Sequence, residues 1–227
     1  MGVGWSILNP LLTMLVHYVV FSTLFSNGNK NYPVYLLTGI VFFSFFSEAI
    51  NMGMSSITSN AALIKKVYVP KYIFPVSRVL SSLINLGTSM IPLLAVMLLT
   101  GTWPKLSILL LVFDILCLIV FVMGMSLLLS TCMTFFQDTQ FLWGVVSMIW
   151  MYLTPIFYMD TIIPEKFLGV YHMNPMYQYI NFARTIILYK HCPTAGQFIA
   201  CFVSAVLVLL LGTVVFKKNQ DKFVYYI

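Results

Sequence analysis

Six apolar stretches, near residues 5–25, 34–57, 82–100, 107–131, 140–158 and 196–216, divide the chain. Each is long enough for a helix of about 20 residues, which crosses the roughly 30 Å hydrocarbon core of a bilayer. The expectation is therefore an all-α membrane protein of six spans in one transmembrane domain covering residues 1–227. With 60% hydrophobic and only 8% charged residues, the chain lies far from soluble-domain composition. The longest segment between apolar stretches is 159–195, too short for a water-soluble catalytic domain.

The twelve Lys and Arg against six Asp and Glu give a net charge of +6, with no basic run longer than two. That pattern fits contact with a membrane surface and not a nucleic acid. Cys117, Cys132, Cys192 and Cys201 form no CxxC pair, so neither a zinc site nor a disulfide framework is indicated. Met1 to Gly4 carry no basic residue, so the first span reads as retained and not as a cleaved leader. With the amino terminus inside, Lys65, Lys66, Lys71, Arg78, Lys217, Lys218 and Lys222 fall in inner segments. Lys30, Lys105, Lys166, Arg184 and Lys190 fall in outer ones. The bias favours both termini in the cytoplasm.

Two connections carry helix signals of their own. In the inner one, 58–81, Asn60 is placed to cap a short helix running to about Val69, with Lys65 and Lys66 in its later part and Pro70 as its stop. Leu63, Ile64, Val67 and Tyr68 share one face, suited equally to docking a soluble partner and to lying on lipid. The outer connection, 159–195, has one helix start at Asp160 or Thr161 before Pro164 and a second at Asn174 before Pro175. In the second run Met176, Ile180, Ala183 and Ile187 share one side. The pair reads either as half-helices dipping into the membrane or as a hairpin lying on its surface.

Polar groups in the spans each need a reason, because an ionisable side chain at mid-membrane costs at least about 2.5–3.5 kcal/mol. Ser44, Glu48, Asn51 and Ser55 recur on one helix face, as a hydrophilic wall of a translocation path or as inter-helix hydrogen bonding. Asp114 and His17 stand alone and read as structural contacts. Met14, Tyr18, Phe21 and Phe25, with Tyr35, Phe42 and Phe46, form aromatic stripes that serve either packing or the stacking of sugar rings. Gly196, Ala200, Ser204 and Gly212 give the sixth span a small-residue face for close helix approach. No P-loop, H-E-x-x-H or G-x-S-x-G is present, so a pump built on this chain takes its motor from another protein.

Several stretches, in order, resemble the membrane subunits of type-2 ABC exporters, in the branch exporting polysaccharides, O-antigens, capsules and teichoic acids. They are Gly4 to Pro10, Asn60 to Lys66 followed by Pro70 and Pro75, Phe135 to Asp138, Tyr152 to Tyr158, and Asn174-Pro175 followed by Arg184. The resemblance implies two copies of this subunit around a channel in the bacterial cytoplasmic membrane and two cytoplasmic P-loop ATPases. ATP and Mg would be held on those partners, with no cofactor in this chain. The substrate implied is an undecaprenyl-diphosphate-linked polysaccharide or teichoic acid. The 60–69 helix then looks like the coupling helix, with Asn60, Leu63, Ile64, Lys65, Val67 and Tyr68 at the ATPase. The 159–195 hairpin resembles a re-entrant pair at the channel exit. Tyr18, Phe21, Phe25, Tyr35, Phe42 and Phe46, with Ser44, Glu48, Asn51 and Ser55, become the expected channel lining. Two departures are visible: relatives usually carry a further amphipathic helix before the first span, and Gln137 stands where many have arginine. The alternatives are a type-2 exporter of drugs or lipids, and a membrane-embedded glycosyl or acyl transferase, for which Glu48, Asp114 and His17 are the candidate groups.

Overall fold

The computed structural model describes residues 8, 11–20, 31–67, 69–101, 106–159 and 165–226. The helices, in chain order, are α1 (Leu11–Val20), α2 (Tyr32–Met54), α3 (Ser56–Ser59), α4 (Ala61–Lys66), α5 (Ile73–Leu99), α6 (Leu111–Phe135), α7 (Thr139–Leu153), α8 (Glu165–Met173), α9 (Pro175–Ile187), α10 (Ala195–Asn219) and α11 (Phe223–Tyr226). Short 3₁₀ turns at Leu106–Leu110 and Gln220–Lys222 lead into α6 and α11. No strand occurs among the described residues.

Four helices among the described residues, Tyr32–Met54, Ile73–Leu99, Ser107–Phe135 and Ala195–Tyr226, are long and apolar enough to cross a bilayer. The chain is thus a multi-pass helical membrane protein. Of the six expected spans, the second, third, fourth and sixth are these four. The third helix starts at Ile73, ahead of the expected 82, because Pro75 falls in its first turn, where a proline's missing N–H costs nothing. The expected first span is described only at Leu8 and over α1; Phe21 and Phe25 lie outside the described residues.

Of the expected fifth span, 140–158, only the part up to Leu153 is helical. α7 has 15 residues, about 22 Å at 1.5 Å per residue, and falls short of the hydrocarbon thickness. It stops because Thr154 is extended (ψ 129°) ahead of Pro155, as the steric clash of a proline ring with the preceding residue requires. Hydropathy runs on through Ile156 and Phe157, so an apolar window does not register the stop.

α2 is the innermost long helix, buried along most of its length, and packs on α5, α6 and α9. α6 packs in turn on α10, α5 and α9. The α6–α10 crossing is closest at Gly124 and Gly212. A Cβ at Gly124 would sit 2.6 Å from the Leu209 Cα, and one at Gly212 would collide with the Gly124 carbonyl. Of the expected small-residue face, Gly212 makes this contact, while a Cβ at Gly196 meets nothing closer than 3.9 Å. Large apolar side chains remain exposed on α5 (Ile84, Ile91, Leu98), α7 (Phe141, Val145, Met148) and α10 (Phe202, Leu207, Val214). Lipid tails are as apolar as these side chains, so their exposure carries no cost in a bilayer.

Gly212→Val must push α10 off α6, and overpacking of this kind costs about 1–3 kcal/mol. A lower thermal unfolding midpoint in detergent is expected for Gly212→Val and an unchanged one for Gly196→Ala.

Candidate functional site

The non-helical stretch after α7 places the carbonyls of Pro155, Ile156, Phe157 and Tyr158 inside the molecule, and each is met by a donor from elsewhere in the chain. Arg184, 1% exposed on α9, donates from Nη1 to the Pro155 carbonyl (2.6 Å) and from Nη2 to those of Ile156 (3.2 Å) and Tyr35 (3.1 Å). Its Cζ lies 3.3 Å from the centroid of the Tyr35 ring, a cation–π contact. The Tyr35 hydroxyl donates to Tyr158 O (2.8 Å) and Pro155 O (3.2 Å), and that of Tyr32 donates to Phe157 O (2.6 Å). Gly39 makes room for the guanidinium, since a Cβ there would lie 2.9 Å from Nη2.

Asn174 fastens the other side. Its Oδ1 accepts from the Met176 backbone N–H (3.0 Å), capping α9 as expected, and also from Trp150 Nε1 (2.8 Å). Its Nδ2 donates to Thr154 Oγ1 (3.0 Å). The marker segments Tyr152–Tyr158 and Asn174 to Arg184 are therefore two halves of one hydrogen-bonded unit joining α2, the end of α7, and α9. Arg184, which sequence placed in an outer connection, is buried in that unit. Met176, Ile180, Ala183 and Ile187, the expected apolar side of α9, are all buried.

The expected lining residues divide. Ser44 and Asn51 are exposed and Ser55 is half-buried. Glu48 accepts a hydrogen bond from Asn85 Nδ2 of α5, so this part of the stripe joins two helices. Tyr18 is exposed. Tyr35, Phe42 and Phe46 are buried, and in the chain as it stands they face core and not open space. Phe46 packs on Phe121, Trp143 and Trp150, and Tyr35 is taken up by Arg184. An aromatic period shows which residues share a face, and the face here is covered by α6, α7 and α9.

At one end of the bundle α4 follows α3 directly. Asn60 makes no side-chain cap to α4; its Nδ2 donates to the Ser56 carbonyl (2.7 Å), closing α3 instead. The helix ends at Lys66, with Val67 extended (φ −129°, ψ 135°), short of the expected Val69. Tyr68 lies outside the described residues. The expected shared face splits: Ile64 points inward, while Leu63 (46% exposed), Val67 (51% exposed), Lys65 and Lys66 point out. Ile64 belongs to a small apolar cluster with Ile57, Leu127, Phe216 and Phe223, the last two rings in edge contact at 5.2 Å. α4 is thereby braced on the ends of α6 and α10 and on the tail. Phe216 and Phe223, far away in sequence, gave no sign of this role.

The candidate catalytic groups have separate neighbours. Asp114 is buried on α6 beside Cys201 of α10. The His17 Nδ1 pairs with the Thr13 carbonyl (2.7 Å) and its ring stacks on Phe157 at 4.7 Å. Among the described residues no three His, Cys, Asp or Glu side chains gather into a possible metal site. Asn85, a polar residue in the middle of the third apolar stretch, is a legible signal of the α2–α5 pairing.

Residues 2–188 match the family model of the ABC-2 type transporters. The chain is 28% identical over 225 residues to the O-antigen export system permease protein of Klebsiella pneumoniae, covering 98% of this chain and 86% of that protein. It is 25% identical over 225 residues, with the same coverage, to the protein of that name from Myxococcus xanthus.

Arg184→Met takes one donor each from the Pro155 and Tyr35 carbonyls and strands that of Ile156, at a cost of about 1–3 kcal/mol for the stranded group. A marked fall in the thermal midpoint in detergent and new proteolytic cleavage within 154–158 are expected. Arg184→Lys restores only part of the loss, because a lysine lacks the planar fork, and Lys65→Gln on the exposed face of α4 leaves both readings unchanged.

Proposed function

The chain belongs to the ABC-2 type transporter family, and on that premise we propose that it is the permease subunit of an ATP-driven exporter of a polysaccharide of the O-antigen class. The observation that carries the reading is its similarity, over almost its whole length, to O-antigen export permeases of two organisms. ATP hydrolysis is assigned to a separate P-loop ATPase, with Mg on that partner, and the substrate to a glycan carried on a polyprenyl diphosphate. A teichoic acid is the other polymer of matching chemistry.

The working assembly is a pair of these chains with two ATPases, in the bacterial cytoplasmic membrane, both termini inside. α4 is the coupling helix. Its outward residues Leu63, Lys65, Lys66 and Val67, with the neighbouring Tyr68, form the docking surface, and Ile64 and Asn60 hold it in place. This division is supported by the exposure of the first set and the packing of Ile64 against Phe216 and Phe223. α8 and α9 are the re-entrant pair, a reading supported by the burial of α9 among α2, α6 and α10. In the bilayer α1 and α7 complete six crossings, α7 with the help of the non-helical 154–158.

For the translocation path the exposed Ser44, Asn51 and Tyr18 and the half-buried Ser55 are the lining residues this chain offers, and Glu48 borders them. Hydroxyl and amide groups suit a hydrated glycan better than a wholly apolar wall. Tyr35, Phe42 and Phe46 contribute by shaping α2 from within.

Deleting the gene is expected to leave polymer on the inner side of the membrane and remove it from the cell surface; undiminished surface polymer would contradict the substrate assignment. Leu63→Asp combined with Val67→Asp places two carboxylates in the docking surface. Co-purification of the ATPase with the chain is expected to drop by at least about tenfold, with the thermal midpoint of the chain itself unchanged, and full retention of the ATPase would overturn the α4 assignment.

A further inference from the structure

We propose that a groove at the α4 end of the bundle, between the segment following α4 and the end of α10, binds the headgroup of an anionic phospholipid. Its volume is about 330 Å³, within the range of small-ligand sites. Val69, Pro70, Lys71 and Tyr72 line one side, and Thr213, Phe216, Lys217, Gln220 and Asp221 line the other, with Leu127 of α6 between the two sets in sequence.

The groove is amphipathic in the way a phospholipid is. Val69, Pro70, Leu127 and Phe216 offer apolar contact for a glycerol backbone and the first methylenes of an acyl chain. Lys71 and Lys217 supply two cations, against one carboxylate from Asp221. The net excess of one positive charge complements a phosphodiester. The Lys71 ammonium is fixed in position: Nζ donates to the Gln220 carbonyl at 2.7 Å. Of its three protons two remain for a ligand. Lys217 is exposed on the last turn of α10, and Lys218 and Lys222, also exposed, follow it.

The location adds a second argument. At Thr213 to Lys217 the apolar run of α10 gives way to the charged sequence Lys217 to Lys222, the point where a membrane helix leaves hydrocarbon for headgroups. Basic pockets between membrane helices at that depth select acidic lipids. A free phosphate would leave the apolar half of the groove without use, so the occupant is assigned as a lipid. The assignment does not depend on what the protein exports.

The test uses the full chain in detergent, titrated with phosphatidylglycerol or phosphatidylcholine and read by native mass spectrometry. Phosphatidylglycerol is expected to be retained preferentially, and Lys71→Gln with Lys217→Gln to reduce its retention by on the order of tenfold. Asp221→Asn, which removes the groove's carboxylate, raises retention and guards against reading a folding defect as lost binding. Retention that weakens with added salt is expected as well, since the cations lie near water. Equal retention of the two lipids, or an undiminished signal in the double variant, would overturn the site. Displacement of phosphatidylglycerol by inorganic phosphate alone would overturn the lipid assignment in favour of a free anion.

Discussion

Backbone that leaves the helical form inside an apolar layer has carbonyls without helical donors, and this chain meets that constraint at 155–158 with one guanidinium and two tyrosine hydroxyls. Arg184 reaches three carbonyls from a fixed planar fork, a geometry that only arginine has. Hydrogen bonds from a charged donor contribute about 1.5–3 kcal/mol each, a sum that offsets the several kcal/mol needed to bury the ion. The arrangement depends on Gly39 for space and on Tyr35 twice, once as the ring under the cation and once through its own carbonyl and hydroxyl. α2, α9 and the end of α7 are consequently tied together by polar contacts.

The two ends of the bundle are built differently, which bears on how force crosses the molecule. Around Arg184 the ties are hydrogen bonds with fixed directions. Around α4 they are apolar, a cluster of Ile57, Ile64, Leu127, Phe216 and Phe223 with little directional preference. In the coupling reading, pressure on Leu63 and Val67 passes through Ile64 to α6 and α10, and not only to α3 and α5, which flank α4 in sequence. The tight Gly124–Gly212 crossing then makes α6 and α10 move as a pair.

Much of this was readable from the residues, for identifiable reasons. α6 and α10 stand out because hydropathy is a local property, and Asn174 announced the start of α9 because a cap acts within three residues. Proline marked the stop of α7, yet the apolar residues beyond it concealed the break from a window average. What the sequence hid are the pairings across distance. Arg184 and Tyr35 lie 149 positions apart, as do Lys71 and Gln220, and nothing local to either residue names its partner. The aromatic period of α2 was equally silent on which elements cover it, and Phe42 and Phe46 are core for that reason. Leu63 and Ile64 illustrate the finer limit: adjacent residues on a helix do not share a face, and only Ile64 of the two meets the core.

A chain that is the conduit for a glycan moved by a partner's ATP hydrolysis must show transport in a defined system. Proteoliposomes holding the chain and its ATPase, loaded with a lipid-linked glycan on the ATPase side, test it most directly. The measurement is the appearance of glycan on the opposite side, detected by a membrane-impermeant lectin. The lectin signal is expected to rise only when ATP and Mg are present. An equal signal without ATP, or none with it despite active hydrolysis, would contradict it.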